Sequence, residues 1–127
     1  MTLVSSIGCR LLLAGAILWS VGLAGLTARA EELTFDLKIE QGRVSPDMRT
    51  VRVKQGDVVK LRWTSDRLVA LHLHGYDIER TVQPGAVAEM NFTARAAGRF
   101  AVYRGVPKSG GGHSHEAPIV TLEVRPR

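Results

Sequence analysis

Beyond its first thirty residues this chain has no cysteine, because the only one, Cys9, lies in the apolar N-terminal segment. A domain without thiols has no disulfide framework, no thiolate metal ligand and no cysteine nucleophile, so its stability must come from packing. Aromatic residues are scarce too, with two Trp, two Tyr and three Phe among 127 residues. Basic residues are dispersed, as in Asp36/Lys38/Glu40 and Arg49/Arg52/Lys54. With no basic cluster interleaved by aromatics, nucleic acid is excluded as a partner. Sustained helical spacing is also missing, since no window keeps it for more than about a turn.

The one long apolar run, "LLLAGAILWSVGLAGL", follows Arg10 and ends in small residues at Ala28-Arg29-Ala30. A basic flank, an apolar stretch and an A-x-A tripeptide together mark a secretory signal peptide, with cleavage before Glu31. Residues 1–30 are therefore expected to be a signal peptide and 31–127 the exported domain, periplasmic or secreted. The run is slightly long for a signal and slightly short for a spanning helix, so the alternative is an uncleaved anchor, the only route to a membrane partner. Of the formal charge of +5, Arg10 and Arg29 supply two, leaving +3 on the 97-residue domain. That size supports one domain with a modest core, and that charge keeps it soluble without marking a ligand.

Period-two alternation recurs through the exported part and predicts an all-β domain of about seven short strands, a sandwich or barrel. "LTFDLKIE" sets Leu33, Phe35, Leu37 and Ile39 against Thr34, Asp36, Lys38 and Glu40. "TVRVK" and "VVKLRWT", joined by Gln55-Gly56-Asp57, read as a hairpin, with Val59, Leu61 and Trp63 facing the core. "LVALHLHGY" follows, then "AVAEMNFTA", "RFAVYRGV" and "APIVTLEVRP". Trp63 and Met90 are read as core residues, and Asp77 as a turn residue after Gly75. Met48 offers a soft sulfur suited to Cu(I) but has no tie to any histidine.

All four histidines fall into two His-x-His pairs, His72/His74 on the fourth expected strand and His113/His115 in the glycine-rich segment after Gly105. Side chains two apart leave the same face of an extended segment, so each pair can offer two imidazoles to one ion. Neutral imidazole suits Cu(II) and Zn(II), and four would complete a tetrahedral or tetragonal shell. Glu116, beside the second pair, is read first as a surface glutamate and second as an oxygen donor.

The segments "VRVKQGDVVKLRWTSD" and "VQPGAVAEMNFTARAAGRFAVY", with a histidine strand between them, resemble the cupredoxin-like family, Greek-key β-sandwiches of small periplasmic copper proteins. The resemblance implies a type 1 copper site built from a middle-strand histidine and from Cys, His and often Met after the G-x-Y/F strand. His72 or His74 matches the first ligand and His113 or His115 the loop histidine, but Tyr103 and Arg104 stand near the cysteine position and the loop has no methionine. Without thiolate there is no blue copper centre, and electron transfer by that route is excluded. The resemblance further implies that both histidine pairs lie at one end of the sandwich. The expectation is a non-enzymatic exported protein that holds copper as Cu(II), or zinc, through His72, His74, His113 and His115, for carriage, buffering or delivery to an envelope protein. The alternative is a metal-free accessory or interaction domain of the cell envelope.

Overall fold

Alternating branched and polar residues bury one face of each strand, and the computed structural model, which describes residues 25, 29–105 and 117–127, shows how those faces meet. Most of the expected signal peptide, together with His113, His115 and Glu116, lies outside the described residues. Among the described residues the chain is all-β, with strands β1 (Glu32–Glu40), β2 (Arg43–Val44), β3 (Thr50–Lys54), β4 (Val58–Ser65), β5 (Val69–Leu73), β6 (Ile78–Val82), β7 (Ala88–Thr93), β8 (Gly98–Gly105) and β9 (Val120–Arg125). One sheet runs β2-β1-β4-β7 and the other β3-β9-β8-β5-β6. The pairs β1/β4 and β3/β9 are parallel, which requires crossovers between the layers and gives the sandwich its key-like winding.

The core lies between the sheets. Trp63, Leu61 and Met90 from the first sheet and Leu73, Val102 and Leu122 from the second are fully buried, in agreement with the roles read for Trp63 and Met90. Met48 lies half-buried on the one 3-10 turn, Pro46–Met48, and packs against this core. Among the described residues, no helix is long and apolar enough to cross a membrane.

Two expectations need correction. The strands around Gln55-Gly56-Asp57 do not form a hairpin: β3 pairs with β9, whereas β4 pairs with β1 and β7 in the opposite sheet. A two-residue period looks identical in a hairpin and in a crossing between sheets, because both strands bury one face in the same core. The strand count also rises from seven to nine through the two-residue β2 and through β6. "IERTV" escapes a period-two reading because Arg80 occupies the inward position opposite Leu71; on this edge strand its guanidinium turns aside to the Glu89 carbonyl at 3.0 Å.

The crossing at Asp57 is a structural node. Its buried carboxylate accepts the Lys54 amide at 2.9 Å and the Glu31 amide at 3.1 Å, and it pairs with the Arg127 guanidinium. The Asp57 carbonyl accepts from Ala94 at 2.8 Å, so three distant segments meet here. Burial pushes the Asp57 carboxyl up, but the two amides and the charges of Arg127 and Lys54 outweigh it and hold the group below its ordinary value.

A folded-state carboxyl held low contributes stability above the unfolded aspartate range, near pH 4, and that contribution fades as pH falls through the lower folded value. Urea midpoints measured from neutral to acid pH should therefore drop for the native protein. Asp57→Asn should start from a lower midpoint at neutral pH and show a shallower acid decline. In the core, Leu61→Ala should cost about 2–5 kcal/mol in urea unfolding. Leu68→Ala, at a side chain 59% exposed, should stay within about 0.5 kcal/mol.

Candidate metal centre

Strand β5 lies between β8 and β6 and buries Val69, Leu71 and Leu73. The pleat then sends Ala70 and His72 to the outer face of the five-stranded sheet. His74 is the first residue past the strand, yet its amide donates to the Ala101 carbonyl at 2.9 Å and prolongs the ladder with β8. The two imidazoles consequently stand on one face, with ring centroids 6.0 Å apart and planes tilted by 50°. Two rings on adjacent positions of one ion at about 2.0–2.1 Å would have centroids roughly 4.5 Å apart at a right angle and roughly 5.2 Å at a tetrahedral one. The observed pair is wider than that, so the two rings must turn toward one another to share an ion.

Register supplies the surroundings. His72 is opposite Glu79 on β6 and Tyr103 on β8. The nearest Glu79 carboxylate oxygen is 3.9 Å from His72 Nδ1, and the Tyr103 ring meets His74 edge-on at 6.3 Å. Among the described residues His72 Nε2 has no hydrogen-bond partner and is buried, although the side chain as a whole is 41% exposed. A buried imidazole nitrogen with no partner is one whose lone pair or proton is unsatisfied by the protein. Glu79 was not singled out from the sequence, since it becomes a neighbour only through the β5/β6 pairing that the pattern hides, and Tyr103 was read only for its place near the family's cysteine position.

The turn carrying His74 is held from below. Gly75 has φ +92° and Asp77 φ +52°, which makes Asp77 the turn residue expected of it. A Cβ at Gly75 would come within 2.7 Å of the Phe100 ring. Tyr76 packs on Phe92 and Phe100 with centroids 4.7 and 5.0 Å away, anchoring the turn through aromatic contact.

Among the described residues no group of three or more His, Cys, Asp or Glu side chains is arranged to hold a metal ion. The chain leaves β8 at Gly105, which is paired with Ala70, and is described again from Ala117. That end is two strand residues from His72, about 7 Å, and four from His74, about 13 Å. Tyr103 lies on the outer face, opposite His72. Arg104 takes the inward side instead. With Arg43, Arg49, Val44 and Ile119 it lines a cleft of about 420 Å³, and its guanidinium reaches toward the Gly42 carbonyl at 3.4 Å. Gly42 has φ +76°, and a Cβ there would collide with the Arg104 guanidinium.

No protein-family model matches the chain, and no curated protein matches it in sequence. Solved structures do. A copper binding protein in its apo form superposes with a TM-score of 0.56 at 12% identity, over 74% of this chain and 88% of that one. The periplasmic domain of subunit II of cytochrome oxidase from Bradyrhizobium japonicum gives 0.55 at 17%, over 72% and 83%. A blue copper oxidase from Nitrosomonas europaea gives 0.58 at 19%, over 76% of this chain but only 39% of that one. At these identities the similarity establishes the architecture, and the fold is a cupredoxin-like β-sandwich.

Gly75→Ala tests how this turn serves the site. It combines an unfavourable φ with a clash against Phe100, and should destabilise the protein by about 1–3 kcal/mol in urea unfolding. The His74 imidazole resonances should move with it, whereas Gly85→Ala, at a φ of +78° but with nothing within 4 Å, should lower stability without moving them.

Proposed function

We propose that this is an exported, cupredoxin-like metal carrier that binds Cu(II) in preference to Zn(II), using His72 and His74 as the folded half of its site and His113 and His115 as the second half. The observation that carries the reading is that the two imidazoles stand on one face, 6.0 Å apart, with His72 Nε2 unpartnered among the described residues. Cu(II) is favoured over Zn(II) at a nitrogen site by the general order of divalent affinities. A chain of two to four residues links Ala117 to His115 and His113, a reach of at most about 7–14 Å. That reach is compatible with approach to the His72 face. Export is supported by the signal-like residues 1–30 and by similarity to a periplasmic domain. The reading is of a binding protein: metal is cargo to be held and passed to an envelope partner, and no residue is assigned to catalysis.

A second reading is favoured by one observation, the guanidinium of Arg104 at the end of β8 where the family's cysteine would stand. On that reading the sandwich is a metal-free accessory domain of the cell envelope.

Isothermal titration with Cu(II) and Zn(II) separates the two. The native protein should bind Cu(II) more tightly than Zn(II), and His72→Ala or His74→Ala should weaken Cu(II) by at least about tenfold, or ~1.4 kcal/mol. Cu(II) at a hundred times its Kd should raise the unfolding free energy by about 2.7 kcal/mol. Equal, weak binding by the native protein and a variant lacking all four histidines would leave the metal-free reading standing.

A further inference from the structure

Glu31 is the first residue that the sandwich grips on both sides. Its amide donates to Asp57 Oδ1 at 3.1 Å, and its carbonyl accepts from the Val58 amide at 2.9 Å. Among the described residues before it, only the Arg29 carbonyl is held, by Arg127 at 2.7 Å. Independently, the tripeptide Ala28-Arg29-Ala30 marks the Ala30–Glu31 bond for leader removal. Two unrelated criteria, one read from small residues and the other from hydrogen bonds, select the same peptide bond.

We propose that removing residues 1–30 creates an α-ammonium at Glu31 for which the buried Asp57 carboxylate is the receptor, so that processing itself locks the sandwich. The proposal rests on reading residues 1–30 as a leader. In the step, a peptidase adds one water across the Ala30–Glu31 bond. The C–N bond breaks, Ala30 leaves as a carboxylate, and the Glu31 nitrogen takes up a proton to become –NH3+. The neutral amide already donating to Asp57 is replaced at the same place by a cation, and charge-assisted hydrogen bonds are roughly twice as strong as neutral ones. The setting favours this, since the Asp57 side chain is 3% exposed and solvent screens little there. Cleavage also releases the Arg127 Nη1 donor from the Arg29 carbonyl, leaving that guanidinium to Asp57 and to the Gln55 carbonyl at 2.9 Å. Asp57 thereby joins the new N-terminus, the β3–β4 crossing and the C-terminal Arg127.

All nine described strands lie within residues 32–125, so a chain of residues 31–127 retains the whole sandwich. Three forms are compared by urea unfolding at pH 7: residues 31–127 with a free amine, the same chain acetylated at Glu31, and residues 29–127. The free amine should increase the folding equilibrium constant by about tenfold over the other two. In Asp57→Asn the three forms should become equal. Should that variant fail to fold, acylation of the Glu31 amine by acetic anhydride gives the second readout, with reaction at least about tenfold slower in the native chain than in urea, relative to lysine controls. Equal midpoints for free and acetylated chains, or an amine equally reactive when folded and unfolded, overturn the receptor role of Asp57. Mass determination of the exported protein tests the other half: a first residue other than Glu31 overturns the leader reading and with it the processing step, whatever the stability data show.

Discussion

The candidate site depends on the pleat of β5. Val69, Leu71 and Leu73 are each 4% exposed or less, and their burial fixes which way every other residue of the strand must point. A slip of one residue would drive His72 into the core and put leucines in water, at a cost of several kcal/mol in lost burial and unpaired imidazole. The histidines therefore owe their common face to three aliphatic residues that touch no ligand. The same constraint determines their company, because the ladders that hold β5 between β6 and β8 bring Glu79 and Tyr103 alongside His72. A flexible loop could present two imidazoles as well, but it would lose ordering entropy on binding that this strand has already lost on folding.

Much of this was legible in the residues. Leu61, Trp63, Met90 and Leu122 alternate with polar neighbours and are all buried, so an all-β domain follows from their period, while the choice of sandwich over barrel came from the family resemblance. Pairing was less accessible. The Gln55-Gly56-Asp57 segment has the composition of a hairpin turn, yet it crosses between sheets, and what distinguishes the two is a contact with Glu31 and Arg127, 26 and 70 residues away. β6 was hidden by Arg80, whose inward position is tolerable only because an edge strand lets the guanidinium escape to Glu89 of the other sheet. Same-side placement of His72 and His74 could be read from their spacing, but the identity of Glu79 as a neighbour required the hidden strand. Convergence of the second pair could not be read from spacing at all, and His113 and His115 lie outside the described residues.

The two ends of the sandwich are built on opposite electrostatic terms. At one, the buried Asp57 carboxylate collects amides and a guanidinium from three segments. At the other, Arg43, Arg49 and Arg104 line a cleft among Gly42, Val44 and Pro118, and Arg49 is braced by the Val44 carbonyl at 2.9 Å. In the family this chain resembles, that second end carries the copper and its thiolate. A guanidinium is always charged near neutral pH, so its presence there raises the cost of placing a cation in the same space. The arginine-lined end thus argues against a simple loss of one ligand with the metal position otherwise retained.

If metal is bound, the sheet face is the better place for it, and location has consequences for what the bound ion can do. A thiolate centre enclosed at the end of a sandwich has its geometry set by the protein and is suited to a resident redox ion. Two imidazoles on an outer face provide only part of a coordination shell, and the remaining positions are open to water, to further histidines or to donors of another protein. Exchange of an ion between two proteins requires such openings, because incoming ligands must bind before the outgoing ones have all left. The half-exposed His72 and exposed His74 are accessible in this way, while β5 holds the backbone of the first and the bond to the Ala101 carbonyl that of the second. A held backbone supports affinity and open positions support release, and a carrier needs both.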